Sequence, residues 1–182
     1  MKKVSQRLGI ILLVLAAFVL LQACASAPKL PEPKPGLYVN EEFRFSVEYP
    51  ENWKDDPLQG TEVLRVANPS QFKLPVLTAA VSDLQEGAKL ETQGYLDAVK
   101  ALNPGSKRFK ALSEEEIILN DGTPALAFTY KWTWSDGVFK LQGAAVITIK
   151  DDKYFSATAT TAFGGDTTPE KLLEIVKSWK FY

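Results

Sequence analysis

The sequence predicts an α+β domain: a mostly antiparallel sheet of about seven strands with helices packed on its faces. Two observations carry that expectation. Four strand-like runs between Phe109 and Ala162 are separated only by short Asp/Gly turns, which join antiparallel neighbours into a meander. Two amphipathic patterns, one mid-chain and one at the end, have helical spacing and would cover the faces of such a sheet.

From the beginning, Met1 to Arg7 is basic, Leu8 to Leu21 is apolar apart from Gly9, and small residues follow, which is the layout of a secretory leader. The apolar run is about 14 residues, short of the roughly 20 that span a bilayer as a helix. Leu21-Gln22-Ala23-Cys24 resembles the bacterial lipobox, with an aliphatic residue three before the cysteine and a small one directly before it; Gln22 stands where a small residue is usual. The resemblance implies loss of residues 1–23, diacylglycerol on the Cys24 sulfur and acylation of the new amino group, hence a lipid-anchored envelope protein. Ala25 in second place would send it to the outer membrane, facing the periplasm, in a Gram-negative cell. The alternative is an ordinary small-x-small cleavage site, which gives a soluble secreted chain.

Residues 24–36 read as the lipidated cysteine followed by a tether, since Pro28, Pro31, Pro33 and Pro35 favour an extended spacer of about 3.1 Å per residue. Residues 37–182 read as one folded domain. Phe43, Phe45, Val47 and Tyr49 alternate with Arg44, Ser46 and Glu48, the period of a strand with one dry and one wet face. Glu62 to Ala67 and Pro75 to Val81 are two further strands. Glu91 to Asn103 places Tyr95, Val99 and Leu102, with Leu96 beside them, on one side of a helix that Asn103-Pro104-Gly105 closes.

The meander follows: Phe109 to Leu119, Pro124 to Trp134, Val138 to Lys150 and Lys153 to Ala162. Thr167 or Thr168 as N-cap, Pro169 at the first helical position and Glu170 in the first turn open a last helix, with Leu172, Leu173, Val176 and Trp179 as its apolar stripe.

Composition excludes several function classes. The 21 basic side chains include Lys2, Lys3 and Arg7 of the leader, so the remainder carries 18 against 22 acidic groups, a net of −4. That is not the footprint of a protein that neutralises phosphate backbones, and no nucleic-acid partner is expected. Cys24 is the one cysteine, so no internal disulfide can form. The absence of histidine removes the Ser-His-Asp and Cys-His systems and the commonest zinc ligand.

The segment Phe43-Arg44-Phe45-Ser46-Val47-Glu48-Tyr49-Pro50-Glu51-Asn52-Trp53 resembles the opening motif of the PsbP-like and DcrB-like superfamily: an aromatic-rich strand, Tyr-Pro, then Trp. The order of elements and the closing Trp179-Lys180-Phe181 agree over about 145 residues. The resemblance implies an α-β-α sandwich, often exported or lipid-anchored, without a known catalytic centre, whose members serve as assembly or accessory subunits.

Among side chains that could carry function, Leu126, Phe128, Tyr130, Trp132 and Trp134 share one face of a strand. They are either core under a helix or, where exposed, a contact surface or a stacking platform. Trp134, beside a turn, is the member expected to reach solvent. Trp53 either lines a pocket or plugs the end of the sheet. Gly164-Gly165-Asp166-Thr167 has no P-loop lysine after it and reads as a connection. Asp55-Asp56, Glu114-Glu115-Glu116 and Asp151-Asp152 lack calcium-loop spacing, so no metal and no cofactor is expected.

No catalytic residue is named. The expected function is a non-enzymatic, membrane-anchored accessory factor that binds an envelope protein. Capture of a glycan, lipid or peptide by Trp53, Trp132 or Trp134 is the alternative, and a hydrolase using carboxylates or a Ser-Lys pair is a third reading.

Overall fold

The computed structural model describes residues 28–70, 72–134 and 137–182. Among them the order is β1 (Leu37–Asn40), β2 (Phe45–Glu48), β3 (Lys54–Asp55), β4 (Glu62–Ala67), β5 (Val76–Asp83), α1 (Thr92–Leu102), β6 (Lys107–Ile118), β7 (Pro124–Thr133), β8 (Lys140–Lys150), β9 (Lys153–Ala162), α2 (Pro169–Lys177) and β10 (Lys180–Phe181). Seven strands form one antiparallel sheet in the order β3-β4-β5-β9-β8-β7-β6, and β1-β2-β10 form a second, small one. The meander from β6 to β9 pairs each strand with the next, as the Asp/Gly turns predict.

The large sheet is covered on both faces, which makes the α-β-α arrangement. On one face Ala125, Ala127, Ala144, Val146, Ala157 and Ala159 are small, so the opposing elements approach closely. Leu172 and Val176 of α2 pack there, beside an aromatic group in which Phe45 stacks on Trp179 at 4.6 Å and Phe155 meets Phe181 edge-on at 5.1 Å. On the other face Leu96 and Tyr95 of α1 cover Leu126, Phe128, Tyr130 and Ile147. The Thr168 hydroxyl accepts from the Lys171 N–H and Pro169 opens the helix, so Thr168, not Thr167, is the cap of α2.

The structure departs from the sequence pattern at four places. Ser46 is buried along with Phe45 and Val47, because β2 lies between β1 and β10 and the Tyr182 hydroxyl bonds the Ser46 hydroxyl. Trp179 and Phe181 do not continue the last helix: it ends at Lys177 and the chain returns as β10. Leu102 is 82% exposed, since α1 ends there and its buried residues, Thr92 and Leu96, lie in its first half.

The fourth departure concerns the proline segment, which is not a free spacer from Pro28 onward. Pro28 O accepts from the Arg44 guanidinium, and Gly36 O accepts from the Tyr49 N–H, so the segment is fastened at both ends. Gly36 has φ +77°, and a Cβ there would lie 2.7 Å from Tyr49 O, which reserves the position for glycine. Cys24 and residues 1–23, where a leader is expected, lie outside the described residues.

Candidate functional site at the hairpin end of the sheet

The two ends of the large sheet differ in chemistry. At one end the Asn120 side chain bonds Phe181 and the Arg44 guanidinium binds Tyr182 O and Pro28 O, so both chain termini of the described domain gather there. At the other end the β7–β8 hairpin turns over, with the Trp134 N–H donating to Phe139 O at 2.7 Å. Ten residues of β7 separate these ends, about 30 Å at roughly 3.4 Å per residue.

Large apolar side chains reach solvent around that hairpin: Val138 is 81% exposed, Phe163 58%, Trp134 43% and Phe139 41%. Phe163 belongs to the group because its N–H donates to Lys140 O, which continues the β8–β9 pairing by one step. Beside them is a cleft of about 240 Å³ lined by Arg108, Lys131, Trp132, Thr133, Lys140, Leu141 and Phe163.

Pairing explains how the cations meet there. Thr133 lies opposite Lys140 on β8 and opposite Lys107 on β6, so three strands bring their basic ends together. Between Lys107 and Lys110 the register of β6 shifts, and Arg108 is held at φ +58°, a left-handed conformation uncommon outside glycine. Phe109, next to it, stacks on Trp132 at 5.6 Å, so the bulge lets one residue pack while its neighbour joins the cleft. Among the described residues Arg108, Lys131 and Lys140 meet no carboxylate, whereas Lys73, Lys150, Lys153 and Lys177 each do.

Trp132 lies in the cleft wall, but its ring is stacked between Phe109 and Tyr130 and is only 6% exposed. Its indole N–H is buried with no acceptor among the described residues. Trp134 is not part of the cleft lining and is 43% exposed beside the hairpin turn. Trp53, 6% exposed, belongs to the core beneath the small sheet and meets neither the cleft nor the hairpin. Arg108, Lys131, Lys140 and Phe163 were not singled out, and the sequence signal that could have found them is the recurrence of lysine or arginine at the strand ends flanking one hairpin.

Two of the acidic runs have a member with a structural partner, and Asp121, outside them, has one too. Asp56 accepts from Lys73 and Arg65, Asp121 from Lys150 and Thr123, and Glu115 pairs with Lys177. Burial pushes the phenols of Tyr95 and Tyr130 above their ordinary range, and Tyr95 shares a hydrogen bond with Thr158. Those groups anchor α1 rather than exchange protons near neutrality.

No family model and no curated protein matches this sequence. Among solved structures, the solution structure of cyanobacterial PsbP (CyanoP) from Synechocystis is similar, with a TM-score of 0.64 at 16% identity over 86% of this chain and 99% of that one. A crystal structure from Bacteroides thetaiotaomicron gives 0.42 at 13% identity, over 82% of this chain and 49% of its own. A protein of unknown function from Pseudomonas aeruginosa gives 0.37 at 22% identity, over 76% and 85%. The first of these shows that the chain has a PsbP-like fold, which is the architecture its opening motif implies.

Proposed function

We propose that this protein is a non-enzymatic accessory factor, lipid-anchored to the cell envelope through Cys24, which docks a protein partner with the hairpin end of its sheet. The observation that carries the reading is the cluster of Trp134, Val138, Phe139 and Phe163, large apolar side chains exposed together and flanked by Lys131, Lys140 and Arg108. Exposed apolar patches with a polar rim mark contact surfaces, and aromatic and arginine residues supply most of the binding energy at such surfaces. The cationic flank favours a partner with an acidic rim around an apolar centre.

The position of the patch supports the same reading. Pro28 leaves the domain at the end opposite the hairpin, so an anchor at Cys24 would hold the patch away from the lipid, facing a partner. Among the described residues no helix is long and apolar enough to cross a membrane, so in this reading attachment rests on the lipid alone. The PsbP-like fold is compatible with an accessory role but does not transmit one.

Cross-linking in intact cells, followed by purification of the tagged protein, tests the proposal with Cys24→Ser as the unanchored control. A recurrent partner that is lost in the control is the expected result. Recovery of the protein alone, under conditions that trap known envelope complexes, would reject the docking function.

A further inference from the structure

We propose that the cleft bounded by Arg108, Lys131, Lys140 and Phe163 is a binding site for a phosphate group carried on a small apolar or ring-shaped body. The inference deepens the small-ligand alternative and does not depend on protein docking. It rests on the composition of the walls: three basic residues line about 240 Å³ together with Thr133 and two aromatic residues, Trp132 and Phe163, and no described lining residue is acidic.

Charge balance chooses the anion. Like charges brought together at one cleft repel, and a monovalent ion offsets one of three, whereas a phosphate monoester near neutrality carries close to two negative charges and three acceptor oxygens. The planar fork of Arg108 suits two of those oxygens, and the ammonium groups of Lys131 and Lys140 act as point charges on the third. Arg108 is placed there by a bulge at φ +58°, a conformation that costs energy for a residue with a Cβ and that re-aims the side chain out of the strand's alternation. Phe163, 58% exposed, supplies the apolar wall on which the body of an ester would lie. The volume is below the range usual for drug-sized ligands, so the body is small.

Two sources offer that chemistry, a soluble phosphate ester and a lipid headgroup, and the test separates them. Titrate the protein calorimetrically with inorganic phosphate, phenyl phosphate and phenyl sulfonate, and float it with vesicles of phosphatidylcholine alone or doped with phosphatidic acid, whose headgroup is a phosphate monoester. Saturable binding of phenyl phosphate is expected, tighter than that of the monoanionic sulfonate and weakened about tenfold or more by Lys131→Gln or Lys140→Gln. Phe163→Ala should weaken phenyl phosphate and leave inorganic phosphate unchanged. These positions are exposed, so the variants keep the fold, which thermal melting checks.

Flotation only with the phosphatidic acid vesicles, abolished by the double lysine variant, would assign the phosphate to a lipid headgroup. No saturable binding in any arm, or binding equal in the lysine variants and in a distant Lys100→Gln control, overturns the proposal. A partner captured in cells while every phosphate arm fails would leave docking intact and refute this site alone.

Discussion

Asn120 is bonded to Phe181 twice: its amide nitrogen donates to Phe181 O at 2.7 Å, and its amide oxygen accepts from the Phe181 N–H at 2.8 Å. One side chain thus stands in for a neighbouring strand and ties the β6–β7 turn to the last strand of the small sheet. Asn120→Ala strips partners from a backbone donor and a backbone acceptor at once. It is expected to lower stability by about 1–3 kcal/mol, read by thermal or urea melting. Amide exchange should quicken first in β10, and uniform quickening across both sheets would contradict this role.

Gly143 is needed for its lack of a side chain. A Cβ there would lie 2.8 Å from Ala159 O and 3.0 Å from the Tyr130 ring, and neither can withdraw, because Ala159 O belongs to backbone and Tyr130 is 1% exposed. Gly143→Ala should therefore destabilise by about 1–3 kcal/mol through overpacking. A melting temperature equal to that of the unsubstituted protein would show that the sheet accommodates the methyl.

The four tryptophans divide between packing and contact. Trp179, 2% exposed against Phe45, Phe155 and Phe181, is expected to cost about 3–5 kcal/mol on truncation to alanine. Trp134→Ser, at 43% exposure, should change stability by no more than about 0.5 kcal/mol. Equal losses in the two variants would place Trp134 in the core and remove it from the docking surface.

Asp56 sets a pH dependence. The hydrogen bond from Lys73 and that from Arg65 hold its carboxyl below the usual carboxylate range. A group lowered in this way adds stability that is fully present above its unfolded value of about 3.9 and is lost as pH falls through the lower folded value. The difference in unfolding free energy between the unsubstituted protein and Asp56→Asn should be constant from pH 7 to about pH 5 and close as acid is added below about pH 4. A difference that stays constant to pH 2 would show that the ion pair adds nothing.

Much of the fold was legible because its elements obey local rules. The runs Glu62–Ala67 and Lys153–Ala162 appear as strands with the bounds that their residues suggest, and Thr168-Pro169-Glu170 opens α2 by capping chemistry readable in three residues. Of the small sheet only β2 was legible, from the alternation of Phe43, Phe45, Val47 and Tyr49. β10 has two residues and finds its partner, Lys180 opposite Ser46, more than 130 positions away, so no periodicity announces it. The buried Ser46 follows from that pairing and not from its own segment.

The candidate site was legible in part. Trp134 at a turn foretold an exposed aromatic, and its side chain is 43% exposed. The cleft depends on Arg108, Lys131, Lys140 and Phe163, drawn from four stretches of chain, and on a bulge whose left-handed residue is an ordinary arginine. Sequence spacing carries no sign of that bulge. Trp53 illustrates the converse, an aromatic conspicuous in sequence that the fold spends on its core.

The claim that the hairpin end meets a partner is tested most directly by a photo-crosslinking residue placed at Val138 and, in a second strain, at Glu41. Both positions are exposed, but Glu41 follows β1, whose last residue Asn40 pairs with Phe45 near the Arg44 and Tyr182 end of the domain. The account predicts a discrete crosslinked species from position 138 that is absent from position 41 and is lost when Phe163→Ser is introduced. A crosslink to the same partner from position 41, with none from position 138, would contradict it.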